Sequence, residues 1–163
     1  MLQKGFTLIE LLVVIAIIGI LATVVIGSVS SARAKGANAA VKSNLSNSRA
    51  VAEIFYDSNN TYAGVCTAPA SGGTQTANSS ALAAIKITST SPSVTSQNSG
   101  TATPTASTAV CVESADGYVV AAPLKSPTGA MYCVDSNGAK KEYASGIFTT
   151  TIAAAAPLGP RCP

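Results

Sequence analysis

The chain has 163 residues, a net charge of +3 and no histidine. This length allows one globular domain together with a membrane helix, and the weak positive charge does not favour nucleic acid as a partner. The absence of histidine excludes histidine-based acid–base catalysis and metal ligation by imidazole. Aromatic residues make up only 5% of the chain and tryptophan is absent, so the core of the domain is expected to be small.

The first predicted element is an apolar helix from Phe6 to Gly27, in which Glu10 is the only charged residue. At 1.5 Å per residue such a helix would be about 33 Å long, close to the thickness of a hydrocarbon core. A carboxylate costs about 2.5–3.5 kcal/mol at the bilayer centre and less near the interface, so Glu10 is predicted to have a functional partner. The alternative is an acid that snorkels to the interface and favours the helix dipole.

The residues around the start of this helix carry a family resemblance. The sequence Lys-Gly-Phe-Thr-Leu-Ile-Glu at residues 4–10, followed by the apolar run, resembles the N-terminus of type IV prepilins and pseudopilins. The resemblance implies that a membrane prepilin peptidase removes residues 1–5 by cutting after Gly5. It also implies N-methylation of the new N-terminus at Phe6. Unlike the loss of an ordinary secretory leader, this cleavage would leave the whole apolar helix on the mature protein.

The resemblance also implies a role for the acid in assembly. Glu10 would face the amine of Phe6 of a neighbouring subunit in a filament, and Thr7 is the second predicted assembly residue. Unit charges about 4 Å apart attract by about 4 kcal/mol at an effective dielectric constant near 20. Desolvation offsets much of this attraction, so the pair is expected chiefly to set register. The implied partners are other copies of the chain, the prepilin peptidase and the pilus assembly platform in the membrane.

Residues 28–58 are predicted to continue the helix as an amphipathic segment. No proline interrupts the chain from Phe6 to Ser58, and small or apolar residues recur at nearly 3.6-residue spacing. The alternative is two helices hinged at Gly27, because a glycine inside a helix costs up to about 1 kcal/mol relative to alanine. The predicted packing stripe comprises Ala34, Ala37, Val41, Leu45, Ala52 and Phe55.

Residues 59–163 are predicted to form a globular head. Residues 67–109, rich in serine and threonine, are predicted to be a long variable surface loop with only a short helix at 81–85. Residues 117–152 are predicted to form an antiparallel sheet, and the proline-rich tail 153–163 is predicted to be irregular. The expected fold class is therefore α+β and pilin-like, with a long N-terminal helix packed on three or four strands. The strands are predicted at 118–122, 130–135, 140–143 and, as a possible fourth, 146–152.

Four cysteines follow the apolar helix, at Cys66, Cys111, Cys133 and Cys162. None belongs to a Cys-x-x-Cys pair, so no metal site is predicted, and an even number in a small exported domain indicates two disulfides. The head is therefore expected in the oxidising compartment. Four cysteines allow three connectivities. We favour Cys66–Cys111 with Cys133–Cys162, because the second would close a C-terminal loop as in many pilins.

The sequence contains no P-loop, nucleophile elbow, metal-ligand spacing or paired carboxylates, and the acids of the head are predicted to lie in solvated turns. The chain is therefore predicted to be no enzyme, with no cofactor and no small-molecule substrate. The predicted function is the structural subunit of a type IV pilus, single-pass in the cytoplasmic membrane before processing, with its N-terminus cytoplasmic, and extracellular after assembly.

Two alternatives to this function stay open. The first is a pseudopilin of a type II secretion-like system. The second is a minor pilin that acts as an adhesive or DNA-binding module, with Lys125, Lys140 and Lys141 as a candidate basic patch, although three solvated lysines are the simpler interpretation.

Overall fold

The computed structural model describes residues 5–67, 76–89, 92–97, 101–102, 105, 107–144, 152–153 and 161–162. Within these ranges the chain forms two helices and seven strands, and it divides into two units, Met1–Ala34 and Lys35–Pro163. The helices are α1 (Leu8–Asn59) and α2 (Ala77–Thr88). The strands are β1 (Ser93–Gln97), β2 (Thr101–Ala102), β3 (Thr108–Glu113), β4 (Tyr118–Pro123), β5 (Met131–Asp135), β6 (Lys140–Tyr143) and β7 (Ile152–Ala153).

The predicted long N-terminal helix is confirmed. α1 runs from Leu8 to Asn59 and passes through Gly27 without interruption, so the alternative of two helices hinged there is not what the structure shows. Every residue from Gly5 to Arg33 is exposed, because nothing within this first unit covers a lone helix. The part of α1 in the second unit buries Val41, Leu45 and Ala52, three members of the predicted stripe.

The sheet of the second unit confirms the α+β class and has more strands than predicted. The described residues form a five-stranded sheet in the order β1-β3-β4-β5-β6, with β1 and β6 as its outer strands. Strands β3 to β6 form an antiparallel meander, and β1 joins β3 in parallel. A short separate sheet pairs β2 with β7. Of the predicted fourth strand, only Ile152 lies within the described residues, as the first residue of β7.

The largest difference from the predictions concerns residues 67–109. The structure places α2 and β1 in this stretch, and α2 extends beyond the predicted helix at 81–85 in both directions. α2 buries Ala81, Ala84 and Ile85 in the same core as α1. It is therefore part of the packed domain and not part of a surface loop. Strand β1 has the sequence Ser-Val-Thr-Ser-Gln, which lacks apolar alternation. Its strand conformation comes from pairing with β3, which local sequence does not reveal.

The core has one layer on each face of the sheet, and β4 contributes to both. Tyr118, Val120 and Ala122 lie in the cluster that contains the buried side chains of α1 and α2. Val119 and Ala121 lie in a second cluster on the other face, against which Cys162 packs. Because successive strand residues point to opposite faces, burial of all of β4 requires both faces to be covered.

Polar side chains of α1 fix the helix to the sheet. The Asn38 side-chain oxygen accepts hydrogen bonds from the backbone N–H groups of Lys125, at 2.7 Å, and Ser126, at 3.3 Å. Its amide nitrogen donates to the Ser126 carbonyl oxygen. One turn further along, Lys42 pairs with Glu142 on β6. Asn38 therefore holds the β4–β5 turn while Lys42 holds the outer strand, which fixes α1 along one side of the sheet.

Tyr118 combines full burial with a hydroxyl group that has no hydrogen-bond partner among the described residues. Its ring lies 5.3 Å from that of Tyr62, centroid to centroid. Burial, and secondarily the nearby Glu53 carboxylate, raises the pKa of the Tyr118 phenol well above its ordinary value. The folded chain therefore keeps this proton at a pH where the unfolded chain has lost it. Stability is accordingly lost as the pH rises above about 10.

We expect Tyr118→Phe to leave the free energy of unfolding at pH 7 unchanged or to increase it slightly, because the removed hydroxyl has no partner to lose. The variant should also lose less stability above pH 10, with a difference of up to about 1.4 kcal/mol per pH unit. Urea unfolding at pH 7 and pH 11 measures both effects. A loss above about 1 kcal/mol at pH 7 would show instead that the hydroxyl makes a hydrogen bond.

Candidate processing and assembly site

The predicted processing and assembly residues lie together at the start of α1. Gly5, Phe6 and Thr7 are not helical, and the helix begins at Leu8. The Glu10 carboxylate oxygen Oε2 accepts hydrogen bonds from the Thr7 backbone N–H, at 2.9 Å, and from the Thr7 hydroxyl, at 2.7 Å. In return, Thr7 Oγ1 accepts the backbone N–H of Glu10 at 3.3 Å. This reciprocal arrangement is a capping box, with Thr7 as the N-cap residue.

The capping box is a function of Glu10 that the sequence analysis missed. From its sequence context, Glu10 is predicted to face the Phe6 amine of a neighbouring subunit or, alternatively, to snorkel to the interface and favour the helix dipole. The signal was nevertheless present, because a threonine followed three residues later by a glutamate, just before an apolar run, is the sequence signature of a capping box. Glu10 therefore has a partner inside its own chain, and its presence in an apolar segment does not by itself require a partner outside.

The cap leaves part of the carboxylate available. Both hydrogen bonds from Thr7 go to Oε2, and within the described residues Oε1 accepts none. A carboxylate offers two oxygens and about four lone-pair sites. The capping box and a contact from Oε1 to an external cation are therefore geometrically compatible.

The predicted scissile bond, Gly5–Phe6, lies immediately before the cap. A Cβ atom built on Gly5 would meet nothing within 4 Å, and Gly5 is not among the glycines with positive φ. Among the described residues, neither crowding around Gly5 nor its backbone conformation requires glycine at position 5. A requirement for glycine there would have to come from a molecule that contacts the chain.

The segment that follows the cap presents a continuous apolar surface. Phe6 is 79% exposed and Ile9 is 73% exposed. Among the described residues α1 is the one helix long and apolar enough to cross a membrane, by length and composition, and its most apolar stretch is not buried within the chain. Large apolar side chains exposed over several turns mark a surface that contacts lipid or other protein chains.

We expect Thr7→Val to loosen the first turn of α1, because it removes the hydroxyl that donates to Glu10 and accepts its backbone N–H. Loss of an N-cap costs about 1 kcal/mol, so amide exchange at Glu10 and Leu11 should accelerate about fivefold. Hydrogen exchange followed by NMR in detergent micelles measures this. Thr23→Val is the matched control, since the Thr23 hydroxyl donates to the Ile20 carbonyl within the helix. Equal exchange in both variants would contradict the capping role.

All four cysteines lie among the described residues and form two disulfides, as the sequence indicates. Cys66 is bonded to Cys111, with 5.6 Å between the Cα atoms, and Cys133 is bonded to Cys162, with 5.9 Å. This is the connectivity favoured from sequence among the three possibilities. The first bond joins the segment after α1 to β3, and the second joins the C-terminal tail to β5.

The structure does not bring the three lysines of the candidate basic patch together. Lys125 comes just after the end of β4, which pairs with Met131 at the start of β5. Lys140 instead pairs with Val134, near the other end of β5. Three strand residues correspond to about 10 Å, and the adjacent Lys140 and Lys141 point to opposite faces. The sheet register therefore disperses these charges, which argues against a basic patch.

Comparisons with known proteins agree with the resemblance of the N-terminal residues to type IV prepilins. Residues 1–26 match the family model described as prokaryotic N-terminal methylation motif. The chain is also 38% identical over 92 residues to the type IV wide pilus major component PilA4 of Thermus thermophilus. This match covers 56% of the chain and 60% of the relative's length. No solved structure matches the chain significantly.

These findings confirm the resemblance predicted from residues 4–10. The chain carries the N-terminal methylation motif and is similar to a type IV pilus component. Since the match spans only 60% of PilA4, the functional role of the whole protein is a separate question.

Proposed function

We propose that the chain is the structural subunit of a type IV pilus. The observation that carries this proposal is the methylation motif matched at residues 1–26, whose part from Leu8 onward is an exposed apolar helix with its only acid, Glu10, in the first turn. The precursor is held in the membrane by α1, cut after Gly5 and N-methylated at Phe6. Mature subunits then polymerise through their N-terminal helices.

The exposed apolar surface of the first unit is consistent with two successive environments for the subunit, first the membrane and then the filament. Lipid covers this surface before assembly, and the helices of other copies cover it afterwards. Small residues at Ala16, Gly19 and Ala22 permit close helix approach, and a Cβ at Gly19 would meet no atom of the described residues within 4 Å. Contacts repeated head to tail without closing a ring produce a helical filament.

The first turn of α1 supports the proposed order of events. Before cleavage, the Phe6 nitrogen is part of a peptide bond and carries no charge. Cleavage converts it into an amine, which is a cation at neutral pH. The Glu10 carboxylate of a neighbouring copy, with Oε1 unoccupied by the cap, then has a partner that the precursor lacks. Processing thereby creates the charge that assembly uses, and the prepilin peptidase and the membrane assembly platform are the proposed partners.

The disulfides support the proposed location of the head. Disulfides form and persist outside the reducing cytoplasm. The proposal puts the second unit, which contains both bonds, outside the cytoplasmic membrane and the N-terminus of the precursor on the cytoplasmic side.

Mass spectrometry of the intact protein purified from cells tests this proposal. The expected mass is that of residues 6–163 with one additional methyl group and two disulfides. A chain that still begins at Met1 would overturn the proposed processing and, with it, the proposed assembly.

Electron microscopy separates the pilus subunit from the pseudopilin. Extracellular fibres that disappear when this chain is deleted are expected for a pilus subunit. Normal fibres in the deletion strain, together with a defect in protein secretion, would favour the pseudopilin instead.

A further inference from the structure

Two strands of the sheet carry the same short pattern, a cysteine followed two residues later by an acid. On β3 the pattern is Cys111-Val-Glu113, and on β5 it is Cys133-Val-Asp135. Residues two apart on a strand point to the same face. In each pattern the carboxylate therefore lies beside the thiol position, on the side from which the partner cysteine approaches. Both acids are only 2% exposed, contrary to the expectation that the acids of the head lie in solvated turns.

The first carboxylate binds the backbone of the segment that its neighbouring cysteine captures. Glu113 Oε1 accepts the backbone N–H of Gly64 at 2.8 Å, and Oε2 accepts the backbone N–H of Cys66, the disulfide partner of Cys111. Gly64 has a φ of +99°, a conformation that favours glycine. A Cβ at this position would also meet the Phe55 ring at 3.3 Å. The turn thus directs two N–H groups at one buried carboxylate.

The second carboxylate does the same on the other face of the sheet. Asp135 Oδ2 accepts the backbone N–H of Cys162, the disulfide partner of Cys133, at 3.0 Å. Its other oxygen, Oδ1, accepts the N–H groups of Asn137, at 3.0 Å, and Ala139, at 2.9 Å, which fixes the β5–β6 turn. Each disulfide is therefore accompanied by a buried acid that binds the backbone of the incoming cysteine.

We infer that Glu113 and Asp135 are positioning residues that select the disulfide pairing while the head folds. Each holds the incoming cysteine, Cys66 or Cys162, beside its strand partner before the covalent bond exists. Hydrogen bonds to an ionised acceptor are about twice as strong as neutral ones, and more so where water is excluded. Holding two thiols side by side raises their effective concentration, and the bond that forms is the one between thiols already adjacent.

The chemistry needs an external oxidant, for which glutathione disulfide serves. One protein thiolate attacks the glutathione disulfide, forming a mixed disulfide and releasing one glutathione thiolate. The second protein thiolate, correctly placed, attacks the protein sulfur of the mixed disulfide and releases the second glutathione. Two protein thiols lose two electrons and two protons, and glutathione disulfide becomes two glutathione molecules. The proposed carboxylates act only in the second step, through the position of the attacking cysteine.

Oxidative refolding of the full chain in detergent micelles tests the inference. The reduced, urea-unfolded chain is diluted into glutathione buffer and alkylated at intervals, and its disulfide-linked peptides are quantified by mass spectrometry. Glu113→Gln is expected to slow formation of Cys66–Cys111 about tenfold, with Cys133–Cys162 changed by less than about twofold. Asp135→Asn should give the reverse pattern. The two cysteines that fail to pair should then accumulate as thiols or as mixed disulfides with glutathione.

The matched control is Asp116→Asn, which neutralises an exposed acid on the turn after β3 and should change neither rate. In concentrated urea all variants should form the three pairings in the same proportions as the original chain, since no structure holds the cysteines. A variant that slows both disulfides equally, slows neither, or accelerates its own disulfide by removing a charge that repels the thiolate would overturn the inference. Because each acid has its own disulfide, Asp135→Asn tests the inference alone if Glu113→Gln does not fold.

Discussion

A chain in which Gly5 is replaced by tryptophan is expected to accumulate as the full-length precursor and to form no filaments. The structure gives the physical reason, because a Cβ atom at position 5 would meet no described atom within 4 Å. The clash would arise only in the active site of the peptidase, where displacement of the scissile bond by about 1 Å costs about a hundredfold in rate. Immunoblotting of membrane fractions for precursor and mature chains, with electron microscopy for fibres, measures the effect.

The matched control for this substitution is Gly36→Trp, which adds the same bulk at another glycine with open space around it. Gly36 lies beyond the apolar segment, so this variant should be processed at the normal rate. Mature-sized protein from Gly5→Trp would contradict the proposed cleavage site. Precursor accumulation in both variants would point to a general folding defect.

The second large effect is expected from Glu10→Gln, which should be processed normally but lower filament yield at least about tenfold. Glutamine at this position preserves the capping box, because its side-chain oxygen can still accept from Thr7. It removes the charge that would face the Phe6 amine of a neighbouring subunit. That attraction is about 4 kcal/mol at 4 Å and an effective dielectric constant near 20, partly offset by desolvation, and 1.4 kcal/mol is already tenfold. Sheared filaments quantified against total mature protein give the yield.

Thr7→Val is the complementary variant for this experiment, because it removes the cap hydroxyl while keeping the charge. If charge controls assembly, Glu10→Gln should lose filaments while Thr7→Val loses few. If the cap controls assembly, the order reverses. Filament yield unchanged by Glu10→Gln would contradict the proposed pairing with Phe6.

Much of the fold was predictable because its signals are local. The long apolar run and the 3.6-residue stripe around Val41 and Leu45 predict α1, and the alternation of turn formers with apolar stretches predicts β4 and β5. β1 was not predictable in this way, since its polar sequence becomes a strand only through pairing with β3. The predicted α2 is too short, because the first turn of the helix contains Asn78, Ser79 and Ser80, which are typical loop residues. Burial of Ser80 in the folded domain is not visible in the sequence.

The candidate site was predicted in its members but not in its geometry. Motif resemblance predicts Gly5, Phe6, Thr7 and Glu10 as site residues, but the capping box between Thr7 and Glu10 was not predicted, although its sequence signature is present. Likewise, the acids Glu113 and Asp135 looked like ordinary turn residues, because a sequence does not show that a carboxylate is buried by a segment 47 or 27 residues away. Sequence patterns give little information about contacts between distant segments of the chain.

β6 is an outer strand of the sheet, and it bears on the proposed filament, in which many heads would lie close together. The outer strand of a sheet is where a second sheet can add, and native sheets limit such addition with charged side chains. β6 has the sequence Lys-Lys-Glu-Tyr, and its first three residues are exposed charges. Addition of another sheet would have to remove water from these charged groups. We therefore expect that neighbouring heads in the proposed filament do not join edge to edge into sheet aggregates.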